Sequence, residues 1–234
     1  QADETWKKVR DRFIDVGITL PDNIAFDLIG AAFKPKAAAA QDWAEVEGDL
    51  NGRLHESRRR VMDVAGITSE DVIRNIMPLH PMTALVLKHI ASSFQSNQRS
   101  MFDFIKSVGD EQVKAFQYFI DHTGPYDEHP LLTVDQLWDF FYVRGKADLA
   151  THIRMILDTY EQQKDLREEQ QTVLKAILIL LAVDKQLGGS IELLHATDQN
   201  LSYVFEGDDD LGSRAAAIAQ SLKTQGILIQ TPRQ

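Results

Sequence analysis

The sequence predicts a mainly α-helical fold, on three observations. Apolar residues recur at spacings of three and four along nearly the whole chain. Gly, Pro and Asp/Asn clusters cut that pattern into segments of helix length. After residue 164 the order of elements is helix, short strand, helix, helix, strand, the order of a winged helix. The expectation is therefore a multi-helix bundle over residues 1–163, then a small winged-helix-like module over residues 164–234 with one or two short strands.

The elements follow in order. Trp6, Val9, Arg10 and Phe13 keep helical spacing, as do Ile24, Leu28, Ala31 and Ala32 after the cap residues Pro21-Asp22-Asn23. Lys34-Pro35-Lys36 ends that second helix. Residues 37–62 read as a long exposed helix interrupted near Gly48 and Gly52, or as a partly mobile excursion. Gly66 closes it, and Thr68-Ser69-Glu70-Asp71 restarts a helix with N-terminal capping and acidic chemistry. Met77-Pro78-Leu79-His80 is an extended connector, and Pro81 suits the first position of a helix to Phe94. Helices are expected over Gln98 to Ser107 and Glu111 to Ile120. His122 to Pro130 is a loop, and Thr133 caps a helix carrying Leu137, Trp138, Phe140 and Phe141.

A helix then runs from Lys146 to about Gln163. Asp165 to Leu187 forms another whose second half, Ala176 to Val183, is wholly apolar and so buried on most sides. Gly188-Gly189 stops it. Ile191, Leu193 and Leu194 suit a short strand. Thr197 caps a helix to Phe205, Asp208-Asp209-Asp210 opens the next, and Gly226 precedes a strand at Ile227-Leu228-Ile229.

Composition excludes several classes. The chain of 234 residues has no cysteine, so thiolate metal sites and cysteine nucleophiles are out. Lys+Arg number 25 against 35 Asp+Glu, a formal net charge of −10, which disfavours a surface that coats nucleic acid. The longest apolar run falls far short of the roughly 20 residues of a membrane-spanning helix, so no membrane partner is expected. Gln1 to Val9 is polar, and the chain lacks an initiating Met. The expectation is a cytoplasmic segment of a longer protein, the alternative being a complete processed one.

The chemistry-bearing motifs are few. Gly207 and Gly212 have the spacing of a phosphate loop, but Asp208, Asp209 and Asp210 between them repel a phosphate, and Ser213-Arg214 replaces Lys-Ser/Thr. None of the seven histidines forms a ligand pair, so no metal site is expected. Asp121, His122, Asp127, Glu128 and His129 are the best local cluster, read as a solvated turn. No catalytic residue is assigned. Arg53, Arg58, Arg59 and Arg60 form a basic row, either a solvated helix face or an anion contact. Arg99 falls in the first turn of an expected helix, where the dipole disfavours a cation by about 0.3–1 kcal/mol. It therefore needs a carboxylate or an incoming phosphate. From Glu206 to Gln234 four acids face three bases, which suits a protein contact better than a DNA reader.

Residues 78–105, PLHPMTALVLKHIASSFQSNQRSMFDFI, resemble a segment of large bacterial P-loop ATPases of the BREX-type phage-defence group. Pro78, Leu79, His80, Pro81, Thr83, Ala84, Phe94, Asn97, Arg99, Ser100, Phe102 and Phe104 carry the resemblance. Trp6 to Val9 with Arg12-Phe13, Val173 to Ile177, and Ala196-Thr197 with Leu201 extend it. The resemblance implies the region C-terminal to an AAA+-like core: a helical lid, then the winged-helix-like module. It implies ATP and Mg for the full-length protein, and a neighbouring ATPase core, with other subunits, as partners. Both Walker motifs are missing from this chain, so hydrolysis is not assigned to it. Arg99 becomes a candidate nucleotide contact across the lid or a subunit interface.

Overall fold

The computed structural model describes residues 22–32, 34–93 and 101–229. Among them run helices α1 (Asp22–Ala32), α2 (Ala40–Gly52), α3 (Glu56–Ala65), α4 (Glu70–Arg74), α5 (Pro81–Ser93) and α6 (Met101–Lys106). They continue as α7 (Phe116–His122), α8 (Thr151–Leu157), α9 (Glu168–Gln186), α10 (Asp198–Val204) and α11 (Ala215–Thr224). The protein is mainly helical, and the described residues contain no strand. Leu79 and Leu132 form an isolated parallel bridge. No helix among them is long and apolar enough to cross a membrane.

Helix α9 is the centre of the packing. Its apolar second half is buried from Ala176 to Leu180 and again at Ala182 and Val183. Each such Leu or Ile contributes about 1.5–3 kcal/mol on leaving water. A helix apolar on most sides has to be covered on most sides. Helices α5, α8 and α11 and the turn Val134–Leu137 do so. One hydrophobic core thus runs from Phe26 in α1 through Leu85, Phe141 and Leu174 to Leu222 in α11, across residue 163. A small second cluster joins Leu50, Leu54, Met77 and Leu131.

Local signals place many element ends. The Ser69 hydroxyl accepts from Asp71 N–H and the Thr197 hydroxyl from Asn200 N–H, each capping its helix. Pro81 opens α5. At the end of α11, Gly226 takes φ +74°, its N–H reaches Lys223 O, and Ile227 N–H reaches Leu222 O. This pair of bonds is a Schellman motif, which glycine permits without steric cost.

That motif also explains where the strands went. Leu228 N–H likewise turns back to Leu222 O, so Ile227 to Ile229 form a turn. The other expected strand is the 3-10 turn Glu192–Leu194. Among the described residues neither three-residue segment has a strand beside it, and helix-end carbonyls and local turns take its donors instead.

Two further differences have local causes. The helix expected from Glu111 begins only at Phe116, because the Asp110 carboxylate accepts from Gln112 and Val113 N–H and fixes a turn. The helix expected after Thr133 is a 3-10 turn followed by a π-turn over Asp139–Val143, in which Arg144 N–H reaches Asp139 O. Trp138, Phe140, Phe141 and Tyr142 are all buried there. Rings so closely spaced cannot share one α-helical stripe, and the wider turn spreads them. The Thr133 hydroxyl donates to Asp135 rather than capping.

Candidate functional site

The Pro78–Pro81 stretch lies beside residue 132: His80 N–H donates to Leu132 O at 3.1 Å, and Leu132 N–H to Pro78 O at 3.0 Å. His80 is fully buried. Its Nδ1 accepts from Met82 N–H at 3.1 Å, so the proton sits on Nε2, which donates to the main-chain oxygen of Glu206 at 3.1 Å. Burial pushes the imidazole down to about 4, so the ring is neutral at pH 7.

Glu206 makes a second connection. Its carboxylate accepts from Glu56 N–H at 2.9 Å and from Ser57 N–H at 2.6 Å. It therefore caps α3, satisfying two amides that a helix start leaves open and placing negative charge at the positive end of the dipole. The next residues fold on the same spot. Gly207 packs against Leu54 and Leu131. Asp208 accepts from Asp210 and Leu211 N–H through Oδ1, and its Oδ2 lies 2.6 Å from His129 Nδ1. Asp209 lies 3.5 Å from Arg53. Residues 206–209 thus join the start of α3, the His80 connector and the 123–130 loop.

This geometry consumes the turn's own phosphate-binding capacity. The amides of Asp210 and Leu211 are bonded to the Asp208 carboxylate, that of Gly212 to the Asp208 carbonyl and that of Asp208 to Phe205 O, so most of the donors a phosphate would need are taken within the turn.

Two cavities of about 490 Å³ each flank His129. Asp135, Gln136, Glu168 and Thr172 line both. Desolvation holds the Asp135 carboxyl up at about 6. For His129, desolvation lowers the imidazole, but the Asp208 hydrogen bond and charge, with Glu128 and Asp135 beyond, outweigh it and raise the group above its ordinary value.

The basic row is internally matched. Arg53 faces Asp49 and Asp209, Arg58 faces Glu70, Arg59 faces Glu56 and Asp63, and Arg60 faces Glu56. Four arginines therefore meet five carboxylates, and the row projects no net positive charge toward an anion. On α11, Lys223 holds Asp198 at 3.0 Å, and Arg214, just before the helix, holds Asp210 and Glu169.

Of the other residues singled out in the sequence, Pro81 and Thr83 are buried in α5, and Phe102 packs half-buried against the core. Phe94, Asn97, Arg99 and Ser100 lie outside the described residues. So do Trp6, Val9, Arg10, Arg12 and Phe13. Among the described residues no group of three ligating side chains converges. In the 121–129 cluster, Asp121 accepts from Gln117, His122 stacks on Tyr118, and Asp127 accepts from Gly124 N–H. Glu206 escaped sequence reasoning, because nothing local marks an acid as the cap of a helix 150 residues earlier.

Comparison with protein-family models, with curated proteins and with solved structures gave no match.

Proposed function

We propose that this chain is a non-catalytic helical segment of a bacterial P-loop ATPase, coupling nucleotide state to a protein partner in anti-phage defence. In this reading residues 1–163 are the lid, and α9 to α11 are a winged-helix-like module without its wing. ATP and Mg belong to the full-length protein, in the cytoplasm, beside an ATPase core and other subunits. Arg99 is the nucleotide contact.

The observation that carries the reading is the His80–Glu206 contact. It lies at the start of the 78–105 segment that resembles those ATPases, and it ties α5 to both α3 and the C-terminal turn. In this reading a displacement of α5 is passed through that contact to both parts of the chain. The internally bonded 207–212 turn supports a segment that binds no nucleotide alone. DNA is the less favoured partner, since Arg214 and Lys223 are committed to carboxylates.

The test is Arg99→Ala in the intact ATPase. A lost γ-phosphate contact lowers turnover by about a thousandfold with the fold retained. Normal turnover would leave Arg99 as a structural ion pair. In calorimetry the isolated chain should take up Mg-ATP weakly or not at all, and tight binding would overturn the reading.

A further inference from the structure

The loop between α7 and Leu131 is held in an unusual way. Among the described residues, the hydrogen bonds of 123–130 are internal, Asp127 N–H to Gly124 O and Gly124 N–H to Asp127, with one exception. The exception is His129 to Asp208. Tyr126 at the tip is 80% exposed. Behind the loop, His129 is a wall common to both cavities, which otherwise share the 135–136 and 168–172 walls. His129 is therefore one of the side chains that stand between the two cavities, and the loop reaches the cavities through it.

We propose that residues 123–130 are a strap across these cavities, fastened by the His129–Asp208 contact and released when His129 loses its proton. The two ends of the contact differ in mobility, as a latch requires. Asp208 is nearly buried and pinned by two backbone amides, whereas the His129 side chain is half exposed. A charge-assisted bond is roughly twice as strong as a neutral one, so losing the proton weakens the contact without abolishing it.

The groups facing His129 set the direction. Glu128 of its own loop, Asp208 and Asp210 of the turn, Asp135, and Glu168 and Glu169 of α9 are all acidic. Arg167 stands at the start of α9, and Lys114, His122 and Lys175 line the second cavity together with Asp139, so the cations there oppose this field and the acid adds to it. The balance raises His129. A raised imidazole gives closure its full strength below about 6.5, and the charge-assisted part of that strength is lost as pH rises through the folded value. Asp135, held up at about 6, acts in the same sense if opening hydrates it, so Asp135→Asn separates the two. This inference stands apart from the ATPase reading.

The chain has no cysteine, so Tyr126→Cys can carry a single nitroxide label. Spin-label mobility is followed from pH 5.5 to 8.5, and the His129 ring is titrated by NMR. The mobile fraction should rise with the midpoint of His129. The opening constant should grow about tenfold for each unit by which that midpoint exceeds the open-loop value. In His129→Asn the label should be mobile throughout. In His129→Arg, which keeps a cation at every pH, it should stay immobile. The proposal is overturned if wild-type mobility is flat while His129 titrates, or if the same transition survives in either variant.

Discussion

His80 Nε2 stands 3.1 Å from the main-chain oxygen of Glu206, across 126 residues of chain, and this contact holds the connector before α5 against the turn after α10. The ring has both nitrogens engaged and no access to water. His80→Phe fills much of the space but strands Met82 N–H and Glu206 O. Leaving buried groups unsatisfied costs about 1–3 kcal/mol each. Urea unfolding should show a loss of about 2–5 kcal/mol with an unchanged slope. His80→Asn, which keeps polar atoms, should lose less. Equal losses in the two variants would mean that packing, not hydrogen bonding, sets the cost.

Acid should weaken the fold well above the carboxylate range. Burial holds both His80 and His89 down at about 4. A depressed imidazole leaves the folded state short of protons that the unfolded chain binds. Stability is therefore complete above about 6.5 and falls as pH drops toward 4. For His80 alone the span corresponds to about 3 kcal/mol. Asp135 and His129 work in the opposite sense, since a raised group favours the folded state at low pH. His80 and His89 are both displaced far down by burial, and with their contribution the larger, urea midpoints should fall from pH 7 through 5.5 to 4.5. The slope should be shallower in His80→Asn. An unchanged slope in His80→Asn would mean that the His80 ring is not held neutral in the fold.

What the sequence disclosed and what it withheld divide by distance along the chain. Ser69, Thr197, Pro81 and Gly226 act within a few residues of themselves, and each sits where its local chemistry predicts. The run Ala176 to Val183 announced its own burial. The hub depends instead on contacts spanning 79 residues for His129 with Asp208 and 156 for Arg53 with Asp209. An acid that caps its own helix and an acid that caps another look alike in sequence. The strands failed for a related reason: Ile227 to Ile229 have strand composition, but a strand also needs a neighbour, which composition does not encode.

Capping by Glu206 makes a separable prediction. Glu206→Ala removes two charge-assisted bonds and a favourable charge at the start of α3, at a cost of about 1–2 kcal/mol. Glu206→Gln keeps one acceptor and should lose about half as much. Amide exchange at Ser57 should quicken in both variants, more in the alanine one, while exchange along α11 stays nearly unchanged. Unchanged protection at Ser57 would mean that another group or water caps the helix.

Glycine substitutions should change sign with position. Gly207 has φ +83°, where a side chain costs roughly 1–2 kcal/mol. Its new Cβ would lie 3.1 Å from Leu54 Cδ2 and 3.3 Å from Leu131 Cδ1. Both leucines are buried in the small second cluster and have little room to withdraw. Gly207→Ala should therefore lose about 2–4 kcal/mol, conformational and packing costs together. Gly48 lies inside α2 with nothing near its Cβ position. Gly48→Ala should gain about 0.5–1 kcal/mol by restricting the unfolded chain and favouring the helix. Paired urea melts measure both. If Gly207→Ala proved neutral, the 206–209 turn could shift freely, and the hub it forms with His80, α3 and His129 would not be the rigid junction that the burial of its leucines implies.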